Sequence, residues 1–212
     1  MDQLEEKIRS LHKRSAKILD HRRHFKTAVI LPLIKQGDEF VVLFEKRSIN
    51  LSNQPGEICF PGGRCEPEDG GPRNTAIRET CEELGLTPED LEVLAELDIM
   101  VSPFGILIIP FLAIIHNLET MIPNPDEVEK VFCVPLRYLM ENEPLRHHMS
   151  LSVSFPDDFP LELIPQGKNY PFRQGILPQY FYIWEGEVIW GLTARILHHF
   201  IEMIKGQEGR SN

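Results

Sequence analysis

Residues 62–86 read GGRCEPEDGGPRNTAIRETCEELGL and decide the fold. A double glycine opens the stretch, a loop rich in glycine, proline and acidic residues follows, and a helical pattern closes it. We predict a helix over residues 74–84, with Gly85 at the position of a C-terminal cap. The less polar face of this helix consists of Ala76, Ile77, Thr80, Cys81 and Leu84.

The same helix carries three glutamates, Glu79, Glu82 and Glu83, at spacings of three and four residues. Side chains at these spacings share one helix face, so the three carboxylates repel one another. A hard cation such as Mg²⁺ or Mn²⁺ relieves that repulsion through oxygen ligands. Such a run is also typical of a solvent-exposed acidic face. The double glycine favours the metal site, because its backbone permits close approach to a metal or a phosphate.

Around this stretch, the pattern predicts a mixed β-sheet flanked by helices, which is an α+β or α/β layered domain. Residues 27–34 and 40–44 form a β-hairpin around a turn at residues 36–38. Further strands are expected at residues 57–60, 91–97, 99–101, 106–115 and 131–134, and a short helix at residues 136–140.

The two ends of the chain extend this core, and we expect one domain over residues 1–212 with the core at residues 26–140. Residues 1–22 are expected to contribute an amphipathic helix packed on the domain. Residues 188–206 contribute a C-terminal helix with one apolar stripe. Residues 181–184 and 188–190 predict a late β-hairpin. The pattern is otherwise weak over residues 141–187, which are expected to be an insertion: a substrate lid, a contact in a homodimer, or a connecting segment.

Composition limits the class of protein. The chain has 212 residues and a formal charge of -10, with 42% hydrophobic and 25% charged residues. These fractions exclude a mainly disordered, collagen-like or coiled-coil protein. The acidic balance argues against nucleic acid as a partner, because broad binding to phosphates needs an excess of lysine and arginine.

The cysteines and the first residues of the chain bear on its location. Four cysteines without CxxC spacing, and a charged start without an apolar signal core, predict free thiols and a cytoplasmic location. The uncharged residues 99–115 are interrupted by Pro103, Gly105 and Pro110 and predict two strands, not a membrane span.

Residues 78–86, RETCEELGL, resemble the second half of the Nudix hydrolase signature, with Thr80 in place of the usual aliphatic residue. The loop from Gly63 to Arg78 is one residue longer than the general signature, and Asp69 lies where its first glutamate belongs. The upstream segments 43–48 and 56–63 resemble the extra motif of the coenzyme A pyrophosphatase branch. Ser52 occupies the position of that motif's second arginine.

This resemblance implies an α/β/α layered Nudix fold with extra terminal helices, and metal-dependent hydrolysis of a diphosphate in a small-molecule substrate. In the coenzyme A branch, coenzyme A or acyl-CoA yields 3′,5′-ADP and 4′-phosphopantetheine or its acyl form. The alternatives are a Nudix diphosphatase for ADP-ribose, a dinucleotide or another nucleotide derivative, and a binding module without turnover. The three clustered glutamates argue against the binding module.

The site residues are carried over by position. The resemblance implies Mg²⁺ or Mn²⁺ held by Glu79, Glu82, Glu83 and the Gly63 carbonyl. Catalysis is assigned to Glu82, Glu83, Glu127 and Arg78: Glu127 is the first candidate for the general base, a signature glutamate is the second, and Arg78 orients a carboxylate. Substrate binding is assigned to Arg47, Lys46 and Arg64, because phosphates are recognised by arginine and lysine.

Overall fold

The computed structural model describes residues 2–20 and 23–206. Its α-helices are α1 (Asp2–Ser10), α2 (Pro72–Leu84), α3 (Leu136–Glu141) and α4 (Gly191–Ile204). Its strands are β1 (Phe25–Gln36), β2 (Glu39–Arg47), β3 (Ile58–Cys59), β4 (Gly62–Arg64), β5 (Leu91–Glu96), β6 (Met100–Val101), β7 (Ile106–Ile115), β8 (Val128–Pro135), β9 (Leu145–Leu151), β10 (Gly175–Trp184) and β11 (Glu187–Ile189).

Strands β1 to β8 form one mixed sheet with the central order β3-β2-β1-β7-β5. Strands β1 and β7 are parallel, from Phe25 opposite Ile106 to Leu33 opposite Ile114, whereas the other pairs are antiparallel. The β1–β2 hairpin closes with Gln36 opposite Glu39. The predicted α+β class, mixed sheet and hairpin are therefore confirmed.

Successive side chains of a strand point to opposite faces of the sheet, and both faces of the central sheet are buried. In β1, Leu31 and Leu33 pack on one face with α3, α4 and the later strands. Ala28 and Ile30 point to the other face, where they meet Ala76 of α2. Helix α2 thus covers one face, and the C-terminal part of the chain covers the other.

Residues 141–187 contain strand β9 and the first part of β10, which the sequence pattern did not reveal. The predicted late hairpin is confirmed, because β10 pairs with β11 with Tyr182 opposite Ile189. Strands β9, β10 and β11 form a second antiparallel sheet, and seven residue pairs join β9 to β10, from Gly175–Leu151 to Phe181–Leu145. Six of the seven residues of β9 are exposed, and the strand contains two histidines and an arginine. Its sequence therefore lacked the apolar alternation by which strands are recognised.

The prediction that the N-terminal helix packs on the domain was wrong. The α-helix ends at Ser10, and every described side chain from residue 3 to residue 20 is exposed. Leu4, Ile8 and Leu11 form a narrow apolar stripe among charged neighbours. Three such side chains bury too little apolar surface to dock a helix firmly.

The uncharged residues 99–115 form β6 and β7, as predicted. Across the described parts of the chain, no helix is both long and apolar enough to cross a membrane.

Helix α2 begins at Pro72, two residues before the predicted start, and Gly85 caps it in the left-handed conformation. Its Thr80 is fully buried, and the Thr80 hydroxyl has no hydrogen-bond partner. By contrast, the equally buried Thr75 hydroxyl donates to Asp69 Oδ2 at 2.7 Å. An unpaired buried hydroxyl lowers stability, whereas a paired one raises it.

Thr80→Val should therefore raise the free energy of unfolding by about 1 kcal/mol, because valine has the same shape and no polar group to desolvate. Thr75→Val, the matched control on the same helix, should lower it by about 1–3 kcal/mol. Urea denaturation followed by circular dichroism measures both. A loss of stability in Thr80→Val as large as that in Thr75→Val would contradict this assignment.

Candidate active site

The acidic face of α2 lies directly against the double glycine of β4. The Gly62 N–H donates to Glu83 Oε2 at 2.8 Å. A Cβ atom on Gly63 would lie 2.3 Å from the Glu79 carboxyl carbon. The Glu79 carboxylate therefore occupies space that exists only because residue 63 has no side chain. These glycines and glutamates are separated by a loop in the sequence, and they are in contact in the structure.

Arg78 links the carboxylates around the helix. Its guanidinium pairs with Asp69 at 2.7 Å, with Glu79 at 2.9 Å and with Glu82 at 3.0 Å. The hydrogen bonds that Asp69 accepts, first from Arg78 and then from the Thr75 hydroxyl, hold the pKa of Asp69 well below its usual range. Asp69 thus anchors Arg78 from the loop, although that loop is one residue longer than in the general signature. Glu82 is the most exposed of the three signature glutamates.

Glu45 is a buried acid at this site that sequence reasoning missed. It lies at the end of β2, is only 1% exposed, and accepts a hydrogen bond from the Cys59 thiol at 3.2 Å. Its second oxygen, Oε2, is buried without a partner. Burial raises the pKa of Glu45, and burial together with the charge of Glu45 raises that of Glu83. In the sequence, Glu45 could have been noticed only as an acidic residue directly after the apolar residues 40–44 of β2.

Glu127 belongs to the same acidic region, although it is distant in sequence. Its negative charge contributes to the raised pKa values of Glu45, Glu79 and Glu83. Its loop is tied to α2 by the Asn124 N–H, which donates to the Glu83 carbonyl at 2.8 Å. The Glu127 carbonyl in turn accepts from the Ser48 N–H at 2.7 Å. The backbone therefore joins this loop both to α2 and to the end of β2.

The donor set suits a hard divalent cation. Glu79, Glu83 and Glu45 supply carboxylate oxygens, burial raises the pKa of each, and one oxygen of Glu45 has no other partner. A bound cation would compensate the negative charge of these carboxylates, which burial makes unfavourable. Within the described residues, no group of three or more acidic, histidine or cysteine side chains is arranged to hold a metal as it stands. In this arrangement Arg78 forms ion pairs with Glu79 and Glu82.

A cavity of about 450 Å³ opens beside the double glycine. Gly62, Gly63, Cys59 and Arg47 are among the residues that line it. Other lining residues come from the second sheet and from α4. Its apolar lining residues include Phe60, Phe104, Ile106, Met149, Leu177, Trp190 and Leu192. Gly62 and Gly63 thus belong to the cavity wall and also contact Glu83 and Glu79 of α2.

The three predicted substrate-binding cations occupy different places. Arg47 lines the cavity and donates to the Asn53 carbonyl at 3.4 Å. Lys46 pairs with Glu129 at 3.2 Å. Arg64 lies over the Phe25 ring, 5.3 Å from its centroid. Neither Lys46 nor Arg64 contributes to the cavity wall.

Comparison with known proteins defines the class. The model of the NUDIX domain matches residues 24–152, more than half of the chain. The chain therefore belongs to the Nudix family and is a Nudix hydrolase, as its residues 78–86 predicted. The Uncharacterized Nudix hydrolase NudL of Photorhabdus laumondii is 30% identical over 189 residues, which cover 89% of both chains.

Two further relatives carry a more specific name. Peroxisomal coenzyme A diphosphatase NUDT7 of Mus musculus is 40% identical over 57% of this chain. Peroxisomal coenzyme A diphosphatase ndx-8 of Caenorhabditis elegans is 36% identical over 70% of it. The matched parts span 51% of the mouse protein and 62% of the nematode protein. These matches confirm the predicted resemblance to the coenzyme A diphosphatase branch.

Gly63→Ala should disable the site without unfolding the protein. The new methyl group would displace the Glu79 carboxylate, which is the end of a flexible side chain. We expect a loss of about 10²-fold in hydrolysis of any diphosphate that the wild type cleaves, because catalysis tolerates little misplacement. Initial rates by chromatography and the thermal midpoint by circular dichroism measure the two effects.

Gly62→Ala is the matched control. Its Cβ would lie 2.3 Å from the Ala28 carbonyl oxygen and 2.6 Å from Val29 Cα, which are backbone atoms of β1. This substitution should therefore lower the thermal midpoint, whereas Gly63→Ala should not. Full activity in Gly63→Ala would show that the Glu79 position is irrelevant to turnover.

Proposed function

We propose that this chain hydrolyses the diphosphate of coenzyme A or acyl-CoA to 3′,5′-ADP and 4′-phosphopantetheine or its acyl form. The observation that carries the proposal is the position of the segment around Arg47 and Gly56. The Gly56 N–H donates to the Arg47 carbonyl at 3.1 Å, and Arg47 faces the cavity that adjoins Gly62 and Gly63. The names of the mouse and nematode relatives support the same substrate.

In this proposal, Glu79, Glu82, Glu83 and the Gly63 carbonyl hold Mg²⁺ or Mn²⁺, and Glu45 adds a further carboxylate. A divalent cation bound there neutralises charge on the diphosphate and lowers the pKa of a bound water. Arg78 is a positioning residue, because it holds Glu79 and Glu82 in place from Asp69.

The general base is proposed to be Glu127, with a signature glutamate as the alternative. Glu127 is half-buried, its loop is fixed to α2 by a backbone hydrogen bond, and its charge acts on the cluster. A carboxylate in this position accepts the proton of the attacking water. Glu83 is a weaker candidate, since the Gly62 N–H already engages one of its oxygens.

Arg47 is proposed as the main cation that binds the substrate, because it alone among Arg47, Lys46 and Arg64 lines the cavity. A guanidinium there provides paired donors for phosphate oxygens. Lys46 and Arg64 are proposed to act at longer range on the phosphates outside the cavity. Ser52 supplies no charge at the position where the branch motif carries its second arginine.

The test is hydrolysis of coenzyme A by purified protein with Mg²⁺ or Mn²⁺, with products separated by chromatography. We expect 3′,5′-ADP and 4′-phosphopantetheine from the wild type and at least about a 10²-fold lower rate from Glu83→Gln, which loses a charge at the reacting centre. Glutamine can still accept the Gly62 N–H, so the fold should persist. Glu89→Gln, an exposed acid just beyond α2, is the control and should keep full activity.

ADP-ribose and a dinucleotide are run in parallel. Cleavage of either one without cleavage of coenzyme A would move the assignment to another Nudix substrate. Equal activity of Glu83→Gln and wild type would contradict the assignment of the site.

A cytoplasmic location and a homodimer stay predictions. The mouse and nematode relatives are named peroxisomal, and fractionation of cells that express the chain would decide the location. The formal charge of -10 continues to argue for a small-molecule partner over nucleic acid.

A further inference from the structure

Gln179 is a buried polar residue in the wall of the cavity. It lies on β10, two residues after Leu177, and both side chains line the cavity. Gln179 is 5% exposed, and its side-chain carbonyl oxygen has no hydrogen-bond partner. An unpaired buried acceptor is unfavourable. An acceptor of this kind in the wall of a ligand cavity can accept a hydrogen bond from a donor group of the ligand.

The cavity wall indicates which part of a substrate can enter. Most of its lining is apolar, and its charged residues are Arg47 and Glu57, one of each sign. A group with several phosphates needs several cations, and apart from Arg47 this wall has none. Its volume of about 450 Å³ lies in the range of small-molecule sites. A neutral arm with apolar segments and a few amide groups fits this lining.

We infer that the cavity holds the pantetheine arm of the substrate and that the side-chain carbonyl of Gln179 accepts a hydrogen bond from one of its amide N–H groups. This inference rests on the proposed function. The diphosphate would then lie at Gly62 and Gly63, where the cavity meets the acidic face of α2. The terminal torsion of glutamine is broad, so its amide can turn to present the oxygen to the arm.

The adenine amino group is the other N–H donor in coenzyme A. Its half of the molecule carries the 3′-phosphate and requires cations besides Arg47, which the cavity wall does not contain. Comparing substrates separates the two donors, because ADP-ribose contains adenine without the arm. Dephospho-coenzyme A contains both and lacks only the 3′-phosphate.

The experiment uses Gln179→Met, which keeps the length of the side chain and removes its amide. We expect kcat/KM for coenzyme A and dephospho-coenzyme A to fall about three- to tenfold, mainly through KM, the effect of one neutral hydrogen bond. The value for ADP-ribose, if the wild type cleaves it, should be unchanged. Ile183→Met, at an exposed position of the same strand outside the cavity lining, controls for a change of side chain on β10 and should leave the ratio between substrates unchanged.

Binding of 4′-phosphopantetheine by isothermal titration separates this inference from the proposed function. Binding that weakens about three- to tenfold in Gln179→Met supports the role of Gln179 even if coenzyme A is not cleaved. Absent binding to the wild type, or equal affinity in both proteins, would overturn it. An equal loss of kcat/KM on ADP-ribose would also overturn it, because Gln179 would then act on adenine.

Discussion

The contact between the double glycine of β4 and the acidic face of α2 is the constraint on which the site depends. The Gly62 N–H holds Glu83, and the missing side chain of Gly63 leaves room for Glu79. Strand β4 is itself paired to β1, from Thr27–Arg64 to Val29–Gly62. The carboxylates are thus fixed to the central sheet through the backbone, and the cavity opens at the same two glycines.

This arrangement concentrates negative charge where water is scarce. Glu45 is 1% and Glu83 is 3% exposed, burial raises the pKa of both, and the charge of Glu45 raises that of Glu83 further. Desolvation of an unpaired carboxylate costs several kcal/mol, of which one backbone hydrogen bond recovers only a part. Selection for stability alone would not place these acids together, so their burial itself points to a bound cation.

Local patterns in the sequence predicted the parts of the molecule that depend on local interactions. Helix α2, its acidic face and the β1–β2 hairpin follow from spacing within a few residues. Glu45 and Gln179 could not be identified in this way, because their roles depend on partners brought together only by the sheets. Strand β9 was missed because most of its side chains are exposed, and the N-terminal helix was misjudged because amphipathic spacing does not show that a partner surface exists.

The central claim is that the acidic face of α2 at the double glycine binds the catalytic cation. The most direct measurement is a Mn²⁺ titration of the wild type and of the Glu79→Gln/Glu83→Gln double variant, followed by electron paramagnetic resonance of free Mn²⁺. The account predicts saturable binding to the wild type and at least about a tenfold weaker affinity in the variant, because two ligand charges are lost. Equal affinity in the two proteins would contradict it.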